Sequence, residues 1–296
     1  MRYSVGIAAY NEAANIGGLL DRLVTYRPES GLSEIIVIAS GCTDATEAIV
    51  RSYAGRDGRV RLISEPQRRG KAAAVNAFIE KSSNTLLVLM SADILPEAGA
   101  LDLLLEPFSD KMTGVTAGRI IPFNDRSSFM GFYVNLFWAL HHRIGMHSFK
   151  AGEVVAFRKA FQGIPDDTAT DETWIVQLIQ EKGFFPKYVP QAVFHNRGPE
   201  NIRDFLKVRR RHLIGYYHML KLRPDWKLPD TMNNVLILGF IKDEVPADMR
   251  NLFYLFGSMF LELSARILAW YDFHLAHKNP FIWDTASSTK KLEGEK

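Results

Sequence analysis

The sequence lacks the residues and patterns that mark several classes of protein. Its 296 residues include a single cysteine, Cys42, which excludes an internal disulfide and any zinc-finger spacing. The formal net charge of +3 is too small to indicate a nucleic acid partner. The pattern Gly-x-Gly-x-x-Gly follows none of the predicted strands and the P-loop pattern is missing, so neither kind of nucleotide site is indicated.

Long hydrophobic runs are also missing. A helix needs about 18 or more apolar residues to cross a membrane. The longest charge-free stretch, which begins at Ser127, is shorter and contains Asn and His. The first residues include no apolar run like that of a signal peptide. We therefore expect no signal peptide, no transmembrane span and a cytoplasmic location.

The composition is that of an ordinary globular protein, 47% hydrophobic and 23% charged. Short apolar strands and amphipathic helices alternate in the first half of the chain. The strands are predicted at 3–8, 34–39, 59–63 and 85–90, and the helices at 15–26, 45–54 and 71–81. This alternation predicts an α/β fold with a mostly parallel, doubly wound sheet that binds ligands at the carboxyl ends of its strands.

The second half of the chain is less regular. Strands are predicted at 113–121, 153–157 and 187–194, an aromatic-rich segment lies at 127–142, and a helix at 172–182 ends at Gly183. From Trp226 onward the pattern indicates apolar helices separated by Pro229, Pro246 and Pro280. The polar tail at 287–296 is expected to be mobile.

Three loops beside these elements carry polar side chains. Asn11 and Glu12 follow the first strand, and Asp44 follows the second. Helix capping explains both positions as well as ligand binding does. Gly70 and Lys71 stand just before the third helix, where glycine and cations suit a diphosphate, although a solvated basic turn is as common.

A single carboxylate follows the fourth strand. The apolar run 87–90 precedes Asp93, and Pro96 is expected to stop the strand. A carboxylate just past the carboxyl end of a buried strand lies where α/β proteins place their chemistry. Mg²⁺ is commonly held by one or two carboxylates plus substrate phosphates, so Asp93 can suffice when a diphosphate supplies the other oxygens.

Seven motifs in a fixed order give the sequence a specific resemblance. Over residues 3–217 it resembles the inverting glycosyltransferases of family 2. The matching stretches are VGIAAYNEAANI, IVIASGCTDAT, RRGKAAAVNAF, LVLMSAD, AGEVVAFRKAF, TDETWIVQLIQEKGFFPKYVPQAVFH and KVRRRHLIGYY. The resemblance implies the GT-A fold, a Rossmann-like, mostly parallel sheet flanked by helices. It also implies a catalytic domain at 1–225, with a nucleotide-sugar half at about 1–95 and an acceptor half at about 96–225, and a C-terminal helical extension at 226–296.

The resemblance also implies a role for individual residues. Asp171 matches the catalytic base, and Asp93 matches the ligand of a Mg²⁺ or Mn²⁺ ion. The donor, a UDP- or GDP-sugar, would contact Ala9, Tyr10, Asn11, Glu12, Ser40, Asp44, Gly70, Lys71, Ala92, Asp93, Arg209, Arg211 and His212. The acceptor, a sugar, a lipid-linked sugar or a lipid phosphate, would contact Gly152, Glu153 and Trp174.

The sequence departs from the family pattern at several positions. Ser91 replaces the first Asp of Asp-x-Asp, and Thr170 replaces the Glu beside the base. Ala39 stands where an acidic contact to the nucleotide base is often found, so the base specificity stays open. Val208 and His212 replace the Gln and Trp of the last motif. The replacements also motivate a non-catalytic sugar-nucleotide-binding protein as an alternative, whereas the loop AYNEAA argues against a sugar nucleotidyltransferase.

Two apolar segments leave the choice of partner open. The aromatic segment 127–142 is explained by a helix buried against the sheet or by an interfacial helix that meets a lipid-linked acceptor. An apolar stripe at helical spacing runs from Leu252 to Trp270. This stripe would dock on the catalytic domain, pair with its twin in a homodimer, or lie on the cytoplasmic face of a membrane as a peripheral contact.

Overall fold

The computed structural model describes residues 1–26, 31–226, 234–282 and 285–290. Its strands are β1 (Tyr3–Ala9), β2 (Leu32–Ser40), β3 (Val60–Glu65), β4 (Leu86–Ser91), β5 (Leu95–Pro96), β6 (Thr113–Pro122), β7 (Val154–Arg158) and β8 (Phe185–Asn196). Its helices are α1 (Ile16–Thr25), α2 (Thr46–Ala54), α3 (Lys71–Lys81), α4 (Ala100–Leu105), α5 (Phe129–Ser148), α6 (Asp171–Glu181), α7 (Ile202–Leu222), α8 (Asn234–Glu244) and α9 (Met249–His274).

The described strands form one eight-stranded sheet in the order β3-β2-β1-β4-β7-β6-β8-β5. The first four strands in this order are parallel, β7 runs antiparallel between β4 and β6, and β6 and β8 are parallel. Ala9 is level with Ala39, and Ala8 is level with Ser91. The carboxyl ends of β1, β2 and β4 therefore meet at one edge, and the predicted mostly parallel α/β sheet flanked by helices is confirmed.

Helices cover both faces of the sheet, and alternate residues of each strand enter different apolar clusters. In β2, Ile35 and Val37 pack on the face with α1, whereas Ile36 and Ile38 pack on the face with α3. The strands therefore read as unbroken apolar runs in the sequence. A Cβ on Gly6 would lie 2.3 Å from Cγ of Phe78, so α3 packs directly on β1 and its first residue is fixed at the edge of the sheet.

Three elements are not predicted by the sequence patterns. They are β5, α4 and α7, of which β5 has two residues and α4 has six. Pro96 was expected to end the strand before it, but it belongs to β5, which pairs with β8 at the end of the sheet order. Proline is tolerated there because an edge strand leaves one row of N–H groups without a ladder partner.

The helix α9 lies along α7 and α5 with one buried face. Leu261, Ala265 and Ala269 pack in an apolar cluster with residues of α5 and α7. Within the described ranges, α9 is also the one helix long and apolar enough, by length and composition, to cross a membrane, and 22% of its apolar window is buried. Charge-free runs alone do not reveal this helix, because isolated charges interrupt its apolar run without lowering its mean hydropathy much. The expectation of no transmembrane span stays a prediction.

The described part of the tail contacts the body of the protein. Ser287–Thr289 form a 3-10 turn, and Lys290 contacts the loop after β1. The polar side chains of Ser288 and Lys290 hydrogen-bond to the body of the protein, and the mobility of the tail stays a prediction. Residues 291–296 of the predicted tail, and Pro229, lie outside the described residues.

Candidate active site

A cavity of about 310 Å³ opens at the edge where β1, β2 and β4 end. The loops after these strands contribute Tyr10, Ser40 and Asp93 to its wall, and the first turns of α3 and α6 contribute Lys71 and Asp171. Most of the predicted site residues line it: Ala9, Tyr10, Glu12, Ser40, Gly70, Lys71, Ala92, Asp93, Gly152, Glu153, Asp171, Arg209, Arg211 and His212. The structure thus brings the two predicted substrate sites into one cavity.

Three predicted residues are not among the described residues that line the cavity. The side chain of Asn11 accepts a hydrogen bond from Thr43 N (2.8 Å), and that of Asp44 accepts one from Ala13 N (3.0 Å). These bonds tie the loops after β1 and β2 together, whereas the N-cap residues of α1 and α2, Asn15 and Ala45, make no side-chain capping hydrogen bond, so the capping interpretation is not confirmed. Trp174 is buried in the core, where its ring centroid lies 4.7 Å from that of Trp226.

One lysine forms ion pairs with two carboxylates at the centre of the cavity. Gly70 has a φ of 95°, a conformation that glycine adopts without strain. It is the N-cap residue of α3, and Lys71, the first residue of this helix, points across to α6. Lys71 Nζ lies 2.9 Å from Asp171 Oδ2 and 2.6 Å from Glu172 Oε1. The lysine side chain is 18% exposed, so water screens these contacts little.

The environment separates the two carboxylates chemically. Burial and the neighbouring charge of Glu172 raise the pKa of Asp171 to about 6, against the opposing effect of Lys71. Burial also acts on Glu172, but Lys71 outweighs it and lowers the pKa of that group. Paired groups whose pKa values are pushed apart suit different roles. Asp171 is therefore the carboxylate of this pair whose charged form the surroundings disfavour.

A second acidic pair lies towards the end of β4. Burial raises the pKa of Asp93, and burial together with the charge of Asp93 raises the pKa of Glu153 to about 7. Asn196 Nδ2 donates to Glu153 Oε2 at 2.9 Å. Two desolvated carboxyl groups, one of which is disfavoured in its charged form by the other, fit a divalent cation.

The protein offers few ligands to such a cation. Among the described residues, no group of three His, Cys, Asp or Glu side chains is placed to hold a metal ion. Asp93 lines the cavity, and its neighbour Ser91 contributes a hydroxyl in place of a carboxylate. This donor set fits Mg²⁺ or Mn²⁺ when a bound diphosphate completes the coordination.

The three successive arginines of α7, Arg209, Arg210 and Arg211, contact either α9 or the cavity. The guanidinium of Arg209 is held by Glu262 (Nη2–Oε1 2.6 Å), and Arg210 Nε donates to Asp272 Oδ2 at 2.8 Å. Arg209 lines the cavity, but its charge is matched by Glu262. Burial lowers the pKa of Arg211 to about 10, so this side chain stays cationic, and it donates to His212 Nε2 at 3.0 Å.

Some of the lining residues were not predicted. Arg68 lies over the ring of Tyr10, with Cζ 3.9 Å from the ring centroid, and both line the cavity. The basic turn before α3 was the only sequence signal for Arg68. Aromatic residues of α5 form a further wall, where Trp138 and His141 are buried. This placement agrees with the interpretation of segment 127–142 as a helix buried against the sheet.

The fold and the cavity at the carboxyl ends of its strands define an α/β protein of the GT-A type. Residues 4–162 match the family model described as glycosyl transferase family 2. This match covers more than half of the chain, and the protein belongs to that family.

Two curated relatives illustrate the likeness. A dolichyl-phosphate beta-glucosyltransferase of Trichomonas vaginalis is 36% identical over 93 residues, which are 29% of this chain and 28% of that protein. A probable glycosyltransferase of Bacillus subtilis is 23% identical over 301 residues, covering 93% of this chain and 68% of that protein. The chain therefore matches less than a third of the length of the Trichomonas relative.

A solved structure supports the fold assignment. The mannosyltransferase from Pyrobaculum calidifontis, in complex with GDP-Man and Mn²⁺, superimposes with a TM-score of 0.59 at 24% identity. The match covers 95% of this chain and 81% of that one. It shows that the whole architecture, including helices that follow the sheet, is that of a GT-A protein.

Proposed function

We propose that this protein is a metal-dependent, inverting glycosyltransferase that moves a sugar from a UDP- or GDP-sugar to a hydroxyl or lipid-phosphate acceptor. One observation carries the proposal. The cavity places Lys71 between Asp171 and Glu172, beside Asp93 at the end of β4. A cation for a departing diphosphate, a carboxylate for a metal and a base near neutral pH are thereby combined in one site.

The proposed reaction follows from the charges that develop in glycosyl transfer. Positive charge develops at the anomeric carbon and negative charge on the departing diphosphate. Asp93 and the diphosphate oxygens would hold the divalent cation, which supplies positive charge beside the leaving group. Lys71 and Arg211 stabilise the same leaving group from the protein. Asp171 takes the proton of the acceptor hydroxyl, which attacks from the opposite face and inverts the anomeric centre.

The acceptor end of the cavity combines aromatic rings with cations. Tyr133 and Trp138 line it together with Lys150 and Arg197. Lys150 Nζ donates to the hydroxyl of Tyr216 at 3.3 Å. This combination suits a phosphate group that carries an apolar chain, and the dolichyl-phosphate relative acts on such an acceptor by its name. With a phosphate acceptor no base is needed, and Asp171 would position the acceptor.

The experiment that tests this function is a panel of nucleotide sugars. Incubating the purified protein with UDP- and GDP-sugars, Mg²⁺ or Mn²⁺ and extracted polyprenyl phosphates should release a nucleoside diphosphate and form a glycolipid. Pyrophosphate chemistry instead would indicate a nucleotidyltransferase. Tight binding without turnover would favour the non-catalytic sugar-nucleotide-binding protein that Ser91 and Thr170 motivate.

The exposed face of α9 supports a peripheral membrane contact. This helix follows the proposed catalytic domain of residues 1–225 in the chain. Phe253, Phe256 and Phe260 are 75%, 69% and 73% exposed. Glu262 of the same helix accepts a hydrogen bond from Tyr133, which lines the acceptor end of the cavity. An apolar stripe beside an acceptor site suits an acceptor held in a bilayer.

We expect the double variant Phe256→Ser, Phe260→Ser to lose most of its binding to liposomes. Apolar side chains that enter the interface contribute binding that salt does not remove, whereas contacts of basic residues with anionic lipid weaken with salt. Flotation with anionic and neutral liposomes at low and high salt measures both contributions. Phe185→Ser is the matched control, since Phe185 is 61% exposed on β8. Wild-type protein that never floats would contradict a membrane contact. If the double variant has half the mass of the wild-type protein in solution, the exposed face of α9 forms a homodimer interface instead.

A further inference from the structure

The segment 285–290, which we call the C-terminal strap, lies across one end of the cavity. Thr285, Ala286, Thr289 and Lys290 line the cavity, and Ala286 is buried. Shortly before the strap, the carbonyl oxygen of Phe281 lies 3.0 Å from the point where a Cβ on Gly70 would stand. The end of the chain therefore covers the turn before α3, where the proposed function places the diphosphate.

The strap is fixed to the loop after β1 by its last described residue. The ammonium of Lys290 forms an ion pair with the carboxylate of Glu12 and donates to the carbonyl oxygen of Tyr10 at 3.4 Å. The carbonyl oxygen of Lys290 accepts a hydrogen bond from Asn15 Nδ2 at 2.7 Å. The Glu12 side chain is only 6% exposed in this arrangement. Lys290 thus occupies hydrogen-bonding groups that a nucleoside would need.

A second anchor of the strap lies away from the nucleotide end. Ser288 donates from its backbone N–H and from its hydroxyl to Asp204 Oδ2, at 3.0 and 2.7 Å. Its hydroxyl also accepts a hydrogen bond from Glu200 N at 3.2 Å. Asp204 lies in the first turn of α7. The strap therefore joins α7 to the loop after β1 across the cavity.

The remaining space is small for two substrates. Ligand cavities typically measure about 300–1,000 Å³, and the cavity under the strap has about 310 Å³. We propose that the C-terminal strap is a built-in competitor of the donor, which closes the nucleotide end and withdraws Lys290 from Glu12 when a nucleoside diphosphate enters. This proposal rests on the proposed function, with Glu12 as the contact to the donor that the family resemblance implies.

The contacts of Glu12 suit such an exchange. Asn15 Nδ2 also donates to Glu12 Oε2 at 3.0 Å, and Glu12 N donates to Thr46 Oγ1 at 2.8 Å. These two bonds hold Glu12 in place whether Lys290 is present or not. The Lys290 side chain is 25% exposed, so its ammonium can be hydrated when the pair with Glu12 opens. The strap can therefore weaken donor binding and still be displaced.

The anchor variant Ser288→Ala tests the proposal without changing a group that would contact the nucleotide. We expect it to raise the affinity for UDP or GDP with Mn²⁺ by about threefold to tenfold in calorimetric titration, because the hydroxyl bond to the charged Asp204 is lost and only the backbone bond remains to hold the strap at this anchor. Lys290→Ala should shift the affinity in the same direction. Ser287→Ala is the matched control, because the neighbouring Ser287 is exposed and should leave the affinity unchanged.

Hydrogen–deuterium exchange of the full chain supplies a second readout. Saturating UDP or GDP with Mn²⁺ should increase exchange in the peptide that contains residues 285–290. Reduced exchange there, or weaker nucleotide binding by Lys290→Ala, would overturn the proposal and make the strap a lid that holds the donor. Nucleotide binding with unchanged exchange and affinities overturns the competitor role alone. If no variant binds a nucleotide, the donor site itself is wrong, and the competitor role falls with it.

Discussion

Replacing Asp171 by Asn is expected to lower kcat by roughly 10²-fold or more while donor affinity is kept. The substitution is nearly isosteric, and the amide oxygen still faces Lys71, which lies 2.9 Å from the carboxylate in the wild-type protein. The amide cannot take the proton of an acceptor hydroxyl. Steady-state kinetics with a hydroxyl acceptor and calorimetry with the donor nucleotide separate the two quantities.

The pH dependence of the wild-type protein provides an independent check on Asp171. Burial and the charge of Glu172 raise its pKa to about 6, and the base works only in its deprotonated form. We therefore expect kcat/KM to fall about tenfold per pH unit as the pH drops below about 6, and to level off above it. Asp171→Asn should lose this acid limb.

Glu172→Gln is the matched control for the charge of this cluster. Glu172 contacts the same lysine, at 2.6 Å, but its pKa is lowered, so it stays ionised where Asp171 titrates. Its replacement should cost less activity and shift the acid limb to lower pH, because a charge that raises the pKa of Asp171 is gone. Near-normal turnover of Asp171→Asn would mean a phosphate acceptor or another base. Equal losses in both variants would assign the effect to net charge.

Replacing Asp93 by Ala is expected to abolish the metal dependence of nucleotide binding and to leave the fold intact. Asp93 follows β4 in a loop, and burial raises its pKa, so the folded protein gains little from its charge. Without this carboxylate, the diphosphate, one serine hydroxyl and Glu153, whose pKa is raised, are left to hold the ion. Calorimetric titrations with UDP and with GDP, each with and without Mn²⁺ or Mg²⁺, measure the difference. Circular dichroism and thermal unfolding check the fold.

A substitution near Asp93 that should strengthen metal binding provides a second test. Ser91 lines the cavity at the end of β4, where the family pattern has another Asp. Ser91→Asp supplies a second hard oxygen ligand and should lower the metal concentration needed for nucleotide binding. If Asp93→Ala keeps the wild-type metal dependence, or if Ser91→Asp does not change it, Asp93 is not the metal ligand.

The parallel half of the sheet could be predicted because its strands are buried on both faces. Strands such as β2 and β4 carry apolar residues in succession, and the loops after them carry the polar side chains. The resemblance identified Lys71 and Asp171 as residues of one site. It did not give their direct contact, since a shared motif fixes roles and not which of two adjacent carboxylates approaches a lysine.

The rest of the site depends on contacts between distant parts of the chain. Arg209 was predicted as a donor contact, but Glu262, which is 53 residues away, holds its guanidinium. The basic residues of α7 have the same sequence pattern whether their charges face a ligand or another helix, so the pattern does not predict which they contact. The C-terminal strap has no apolar periodicity, so its contact with Glu12 could not be inferred from the pattern. Local spacing predicts elements, whereas the pairing of charges is decided by tertiary structure.

The three successive arginines of α7 have a practical consequence for anyone who wishes to shorten the chain. Arg209 and Arg210 are matched by Glu262 and Asp272 of α9, while Arg211 turns to the cavity. A fragment cut before α9 would keep both cations and lose both anions, and removing one partner of a buried pair is costly. Such a fragment would carry an altered electrostatic field at its substrate site. We therefore expect the kinetic constants of such a fragment to differ from those of the full chain, even if every residue of the family motifs were present.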